Sequence, residues 1–160
     1  MASETEKIMN ELEWFLGEWR GSGRFHPGPF GPGKPIDMTV VTTSEERGRW
    51  LMLRTEEAAT AENPEPLTAR YLWGADPAAG DFTADWFDSN GGHAVQRSGG
   101  WDGDTLVFLG TIAVGGRTAP LRDTFTRTGP DSYHHIGETN LGDGWIPIDE
   151  ETFTRAPATR

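Results

Sequence analysis

Apolar and polar residues alternate with a period of two along most of this chain, in short runs broken by glycine and proline. Valine, threonine, tryptophan and phenylalanine dominate the runs, as they do in half-buried strands. The pattern predicts strands over 18–26, 36–46, 49–57, 67–75, 81–88, 93–101, 105–113, 117–128, 132–139 and 145–155. Tight turns link several of them. Asp102-Gly103-Asp104, Ser89-Asn90-Gly91-Gly92, Gly115-Gly116 and Thr128-Gly129-Pro130-Asp131 all carry hairpin chemistry. Consecutive hairpins imply a meander, and about ten strands suffice to close a small barrel. Helical spacing occurs only near the start, where Ile8, Leu12 and Phe15 recur on one face. The expected fold is therefore all-β: an antiparallel up-and-down barrel of about ten strands with a short N-terminal helical plug.

With 160 residues and neither an internal repeat nor a linker, one barrel domain over 1–160 is expected, with tails over 1–11 and 156–160. The net charge of −11 argues against nucleic acid and anionic membrane surfaces as partners. Cysteine is absent, so thiol nucleophiles and thiolate metal sites are excluded. The start, MASETEKIMNELE, has no basic region followed by an apolar run, and no stretch has membrane-spanning length, so a cytoplasmic location is expected.

The stretch FLGEWRGSGRF resembles the start of a calycin (lipocalin-like) barrel, where a Gly-x-Trp sequence opens the first strand after a helical plug. Here that sequence is Gly17-Glu18-Trp19. The resemblance implies that Arg155, late in the last strand, packs its guanidinium on the Trp19 indole, a contact worth about 0.5 to 2 kcal/mol. The pieces LWGADPAAGDFTADWFDSNGG, GGWDGDTLVFLG and ETFTR extend the likeness to a bacterial family of nitrobindin-like or fatty-acid-binding-protein-like barrels. Nitrobindins bind haem through a histidine on the last strand. The strand WIPIDEETFTR has none, so no haem or other cofactor is expected.

A plug at Trp19 sends the first strand away from the closed end, which puts the loop 26–35 at the open mouth. Its recurring prolines exclude a helix. It reads either as a lid with Phe30 as a stopper or as an ordinary stiffened loop. Trp50 and Trp101 are expected as core plugs near the closed end, and Trp73, Trp86 and Trp145 as candidates for a cavity wall.

His134 and His135 are adjacent on a strand, so they face opposite sides and cannot chelate one ion together. No other spacing supports a metal site, and none is expected. If Phe153 and Arg155 point inward, alternation carries Glu151 and Asp149 inward too. A buried carboxylate needs a partner, for which Arg54, Arg122 or a ligand are the candidates. A buried arginine with Tyr133 would resemble the way fatty-acid-binding barrels hold a carboxylate.

The leading expectation is a cavity for a small hydrophobic or aromatic molecule, with an anionic group met by arginine. The candidate binding residues are Phe30, Arg54, Trp73, Trp86, Arg122, Tyr133, His135 and Glu151. A small barrel enzyme (cyclase, isomerase or hydrolase type) is the alternative. A polar group convergent deep in an apolar pocket would favour it. A third reading is an interaction module, such as a homodimer pairing through outward-facing apolar residues.

Overall fold

The computed structural model describes residues 1–157. Its main strands are β1 (Gly17–Phe25), β2 (Lys34–Glu45), β3 (Trp50–Glu57), β4 (Thr68–Asp76), β5 (Asp81–Asp88) and β6 (His93–Ser98). They continue, past the short β7 (Trp101–Asp102), with β8 (Thr105–Val114), β9 (Arg117–Gly129), β10 (Ser132–Asn140) and β11 (Trp145–Arg155). Every pairing is antiparallel. β1 pairs with β11, and β6 pairs with β8, so ten strands close into a ring and β7 remains as a spur on β8. The strand expected over 93–101 is thus two pieces. Gly99-Gly100 interrupts it, with Gly100 at φ +95°, a conformation that residues with a side chain rarely adopt.

The inward set is the one that alternation predicts. It includes Trp19 on β1, Val40 on β2, Leu51 and Leu53 on β3, Tyr71 and Trp73 on β4, Phe108 on β8, Phe125 on β9, Tyr133 on β10 and Phe153 on β11. The first strand packs tightly against the last. A Cβ at Gly23 would lie 1.8 Å from the Glu150 carbonyl oxygen, so the two backbones approach more closely than any side chain permits.

The N-terminal segment is ordered, contrary to the expected tail over 1–11. Ser3 caps α1 (Glu4–Met9) through a capping box with Glu6, and a 3-10 helix (Asn10–Phe15) follows. Met9, Leu12 and Phe15 bury their side chains in the barrel base, which is the physical reason for the order. At the other end of the chain, Ala156 donates its backbone N–H to the Glu18 carbonyl at 2.8 Å, while 158–160 of the expected tail lie outside the described residues.

The base is sealed by Trp19, which is fully buried and donates Nε1–H to the Phe15 carbonyl at 2.8 Å. The Arg155 guanidinium lies 4.1 Å from the indole centroid. The same guanidinium donates to the Leu16 carbonyl, to the Trp14 carbonyl at 2.9 Å and to Asp131 at 2.9 Å. It therefore caps the free carbonyls at the end of the 3-10 helix as well as covering the indole. Arg155→Met keeps the stem and removes these bonds. It should cost about 2 kcal/mol, and Arg155→Lys should recover only part, because an ammonium lacks the planar fork. Urea unfolding checks this, and an unchanged midpoint in the Met variant would show that the guanidinium does not hold the plug.

Two tryptophans expected inside the barrel lie outside it. Trp50 lies on the outer face, where its ring covers Gly74, because inward alternation on β3 selects Leu51 and Leu53. Trp145 is also outside, beneath the Arg122 guanidinium at 4.3 Å. Trp101 does join the base, stacked on Phe15 at 5.5 Å.

Candidate functional site

Above the aromatic floor the barrel is hollow. The cavity is about 310 Å3, and Phe125, Tyr133 and Phe153 form its floor. Ile36, Met38, Val40, Leu53, Ile112 and Leu121 supply apolar wall, and Trp86 supplies an aromatic face. Loop 26–33 bends over the mouth through a bridge between Gly28 and Gly31, and Phe30 and Pro32 close against the lumen. Lys34, Glu57, Asp88 and Asn90 form a polar rim. A larger hollow of about 590 Å3 runs between Ser22–Arg24 and Glu150–Thr152, but it is an open depression on the outer wall.

One side of the lumen is polar, where β9, β10 and β11 run together. His135 points inward and is flanked by carboxylates. Its Nδ1 lies 2.7 Å from Glu151 Oε2, and its Nε2 lies 2.7 Å from Asp123 Oδ1. The pairing register makes this unavoidable, since His135 stands directly opposite Glu151 on one side and Phe125, two residues from Asp123, on the other. Behind Asp123, Gln96 donates to Oδ2 at 2.7 Å, and the Tyr71 hydroxyl donates to Gln96 Oε1. Asp149 completes the cluster, with Oδ2 3.7 Å from His135 Nδ1. A bulge at Ile148 lets both Ile148 and Asp149 reach the lumen.

Gly137 makes room for this crowding. A Cβ there would lie 2.5 Å from Asp149 Oδ1 and 3.2 Å from Asp123 Oδ1. The two carboxylates occupy the space that a side chain on β10 would fill.

Burial opposes a charge on His135, but Glu151 and Asp123 outweigh it and hold the imidazolium well above its ordinary range. Burial and the neighbouring Glu151 carboxylate push Asp149 well above the usual carboxylate range, with His135 offsetting part of the effect. Burial, then Asp123, raises the Tyr71 phenol, so it stays a donor. Glu151 Oε1 is buried and accepts no hydrogen bond from an N–H or hydroxyl group among the described residues.

Of the residues expected to bind a ligand, the structure brings Phe30, Trp86, Tyr133, His135 and Glu151 to one cavity. Trp73 is fully buried in the packed base against Phe15 and Phe108, below the lumen. Arg54 and Arg122 are outside: Arg54 donates to Thr43 at 3.0 Å and Arg122 to Glu138 at 3.1 Å. The carboxylates' partner is therefore His135, and no arginine lines the cavity among the described residues. Both arginines follow inward neighbours on their strands, Leu53 on β3 and Leu121 on β9, so alternation turns them outward. His134 also faces out, 3.4 Å from Glu150.

Tyr71 and Gln96 were not singled out from the sequence. The signal for Gln96 was its inward position between Ala94 and Ser98 in HAVQRS, a polar residue on a buried face. Outside the barrel, Phe87, Val95, Val107 and Leu109 are exposed on the neighbouring strands β5, β6 and β8. No helix among the described residues is long and apolar enough to cross a membrane.

No protein-family model and no curated protein matches the chain. Solved structures do. One similar structure is that of Rv2717c from M. tuberculosis, with TM-score 0.73 and 15% identity over 94% of this chain and 98% of that one. Another is the S-type phycobiliprotein lyase CPES from Guillardia theta, with TM-score 0.59 and 13% identity over 96% of this chain and 98% of that one. These likenesses show the fold, a closed antiparallel β-barrel.

Proposed function

We propose that the protein binds a small hydrophobic molecule in the barrel cavity and fixes its orientation through the polar wall at His135. The supporting observation is a cavity of about 310 Å3 in the barrel, apolar on most sides, with polar groups converging on one. That size and pattern suit ligand sites, which pair an apolar enclosure with a few placed polar groups. The ligand's polar end is a neutral or cationic donor. The wall offers Asp123, Asp149 and Glu151 around one imidazole, and arginine is absent from the lining among the described residues. An anionic head group would meet like charge in a poorly solvated space.

Nitrobindin-like haem binding is not part of this reading. What supports leaving it out is that His135 faces Glu151 and Asp123 through its two nitrogens, with Asp149 3.7 Å from Nδ1.

Filling the cavity tests the proposal. Leu121→Trp projects an indole into the lumen from β9. The wild type is expected to enhance the fluorescence of a hydrophobic dye and to quench Trp86, and the variant to lose both while unfolding at a similar denaturant concentration. Equal dye binding by both proteins would place the dye outside the barrel and remove the proposal. Phe30→Ala, which trims the lid, should speed dye release several-fold in stopped flow.

Catalysis on the bound molecule is a second reading, favoured by the oriented chain Tyr71–Gln96–Asp123–His135 deep beside an apolar lumen. The structurally similar CPES protein is named a lyase, so this barrel architecture is compatible with chemistry. Incubation with a metabolite extract, read by mass spectrometry, separates the two readings. A mass change made by the wild type and not by Glu151→Gln would support catalysis.

A further inference from the structure

The spacing of histidines along the chain gave no reason to expect a metal. The register of β10 on β11 nevertheless brings a histidine and two carboxylates together from across the sheet. Donor atoms of His135, Asp149 and Glu151 all lie within 4.8 Å of one another. We propose that these three residues form a binding site for one first-row divalent cation, with zinc as the first test.

Several observations carry the proposal. The first is the orphan oxygen. The Glu151 side chain is only 1% exposed, and its Oε1 accepts no hydrogen bond from an N–H or hydroxyl group among the described residues, although its sister oxygen sits 2.7 Å from His135 Nδ1. A buried carboxylate oxygen left so is costly, and a cation beside Nδ1 would satisfy it.

The second is the support behind the imidazole. Asp123 takes the Nε2 side at 2.7 Å, and Gln96 and Tyr71 hold Asp123 in turn. Metal-binding histidines characteristically give their far N–H to a carboxylate, which fixes the ring and aims the other nitrogen at the ion. Here that other nitrogen is aimed at Glu151 and Asp149.

The third is the spacing. Ligand bonds of zinc near 2.0–2.2 Å at tetrahedral angles separate donor atoms by about 3.3 Å. The distances from Nδ1 to Glu151 Oε2 and Asp149 Oδ2, 2.7 and 3.7 Å, bracket that value, so the two carboxylates already stand at about ligand spacing from the nitrogen. Gly137 keeps the space for Asp149 clear.

One nitrogen and two carboxylate oxygens suit zinc, manganese, iron(II) or cobalt better than magnesium or calcium, which favour oxygen alone. Three protein ligands leave a coordination position for water or a donor atom of a molecule in the lumen. The site does not depend on an organic ligand occupying the cavity. The dye experiment and the metal experiment can therefore fail separately.

The test uses the purified full chain stripped with a chelator. Calorimetric titration with zinc chloride should show one ion per chain at micromolar affinity or tighter, and cobalt(II) should give visible absorption of a low-symmetry site. Glu151→Gln and Asp149→Asn should each weaken zinc at least tenfold, while His134→Ala, on the outer face, should not. Gly137→Ala removes no donor, yet should also weaken binding by displacing Asp149. If the cluster variants do not fold, the wild type decides alone: nitrogen-15 NMR should show the His135 Nδ1 resonance shifting on zinc addition. Failure to bind zinc stoichiometrically, an unmoved His135 resonance, or equal affinity in folded Glu151→Gln and wild type would each overturn the proposal.

Discussion

Trp19→Ala should lower the unfolding free energy by about 4 kcal/mol, the largest loss expected from any single truncation in the base. The indole is fully buried, so its truncation forfeits all of its contacts. It packs against Tyr133 at 4.8 Å and Trp14 at 5.1 Å, and the Arg155 guanidinium lies on it at 4.1 Å. Large-to-small changes at buried aromatic sites cost about 3 to 5 kcal/mol through lost transfer energy and the cavity left behind. The Phe15 carbonyl also loses its donor, a contribution of about 1 kcal/mol. For a chain of this size the melting temperature should fall by about 10 °C. Trp19→Phe retains an aromatic ring and loses the N–H, so it should cost less than half as much. Chemical denaturation of both variants checks the pair. A loss under about 1 kcal/mol for the alanine variant would mean that the barrel base closes without the indole.

His135→Leu should be about as damaging, for a different reason. Leucine nearly fills the volume, so packing is not the main loss. What remains are Asp123 and Glu151, facing an apolar side chain where each had an imidazole nitrogen at 2.7 Å. Removing one partner from a buried charged group costs about 3 to 5 kcal/mol, because the remaining charge keeps its desolvation penalty and loses its compensation. Adding Glu151→Met removes one of the two stranded carboxylates with little change of shape. The double variant should therefore be less destabilised than the sum of the two single changes. Unfolding of the chelator-treated protein gives the coupling directly, so bound metal does not enter the comparison. Strictly additive costs would show that His135 and Glu151 do not depend on each other.

The Trp19 and His135 predictions draw on different parts of the chain's logic. Trp19 and Arg155 could be paired from sequence, since the Gly-x-Trp opening and the closing arginine carry a resemblance, and the structure places the guanidinium on the ring. The meander was legible because each hairpin is local: a two-period run, a glycine or asparagine turn, and another run. Strand limits at β5 and β11 coincide with the expected 81–88 and 145–155. The break at Gly99-Gly100 went unpredicted, because a positive φ is a property that glycine permits without announcing. Alternation also carried Asp149 and Glu151 to the lumen once Phe153 was placed inside, and required that His134 and His135 face opposite sides, of which the structure turns His135 inward.

Partnership was a different matter. Arg54 and Arg122 were reasonable candidates to meet the carboxylates, and both lie outside, one step out of phase with their inward neighbours. The sequence by itself determined the closed sheet, the plug and the inward face, because those follow from periodicities and turns that act over a few residues. Only the tertiary structure decided that His135 stands between Asp123 and Glu151, that Gln96 and Tyr71 stand behind Asp123, and that Gly137 leaves them room. Those contacts join strands from β4 to β11, and their geometry depends on the register between strands and on how far the ring bends before it closes. Neither quantity is written in any short stretch of the chain.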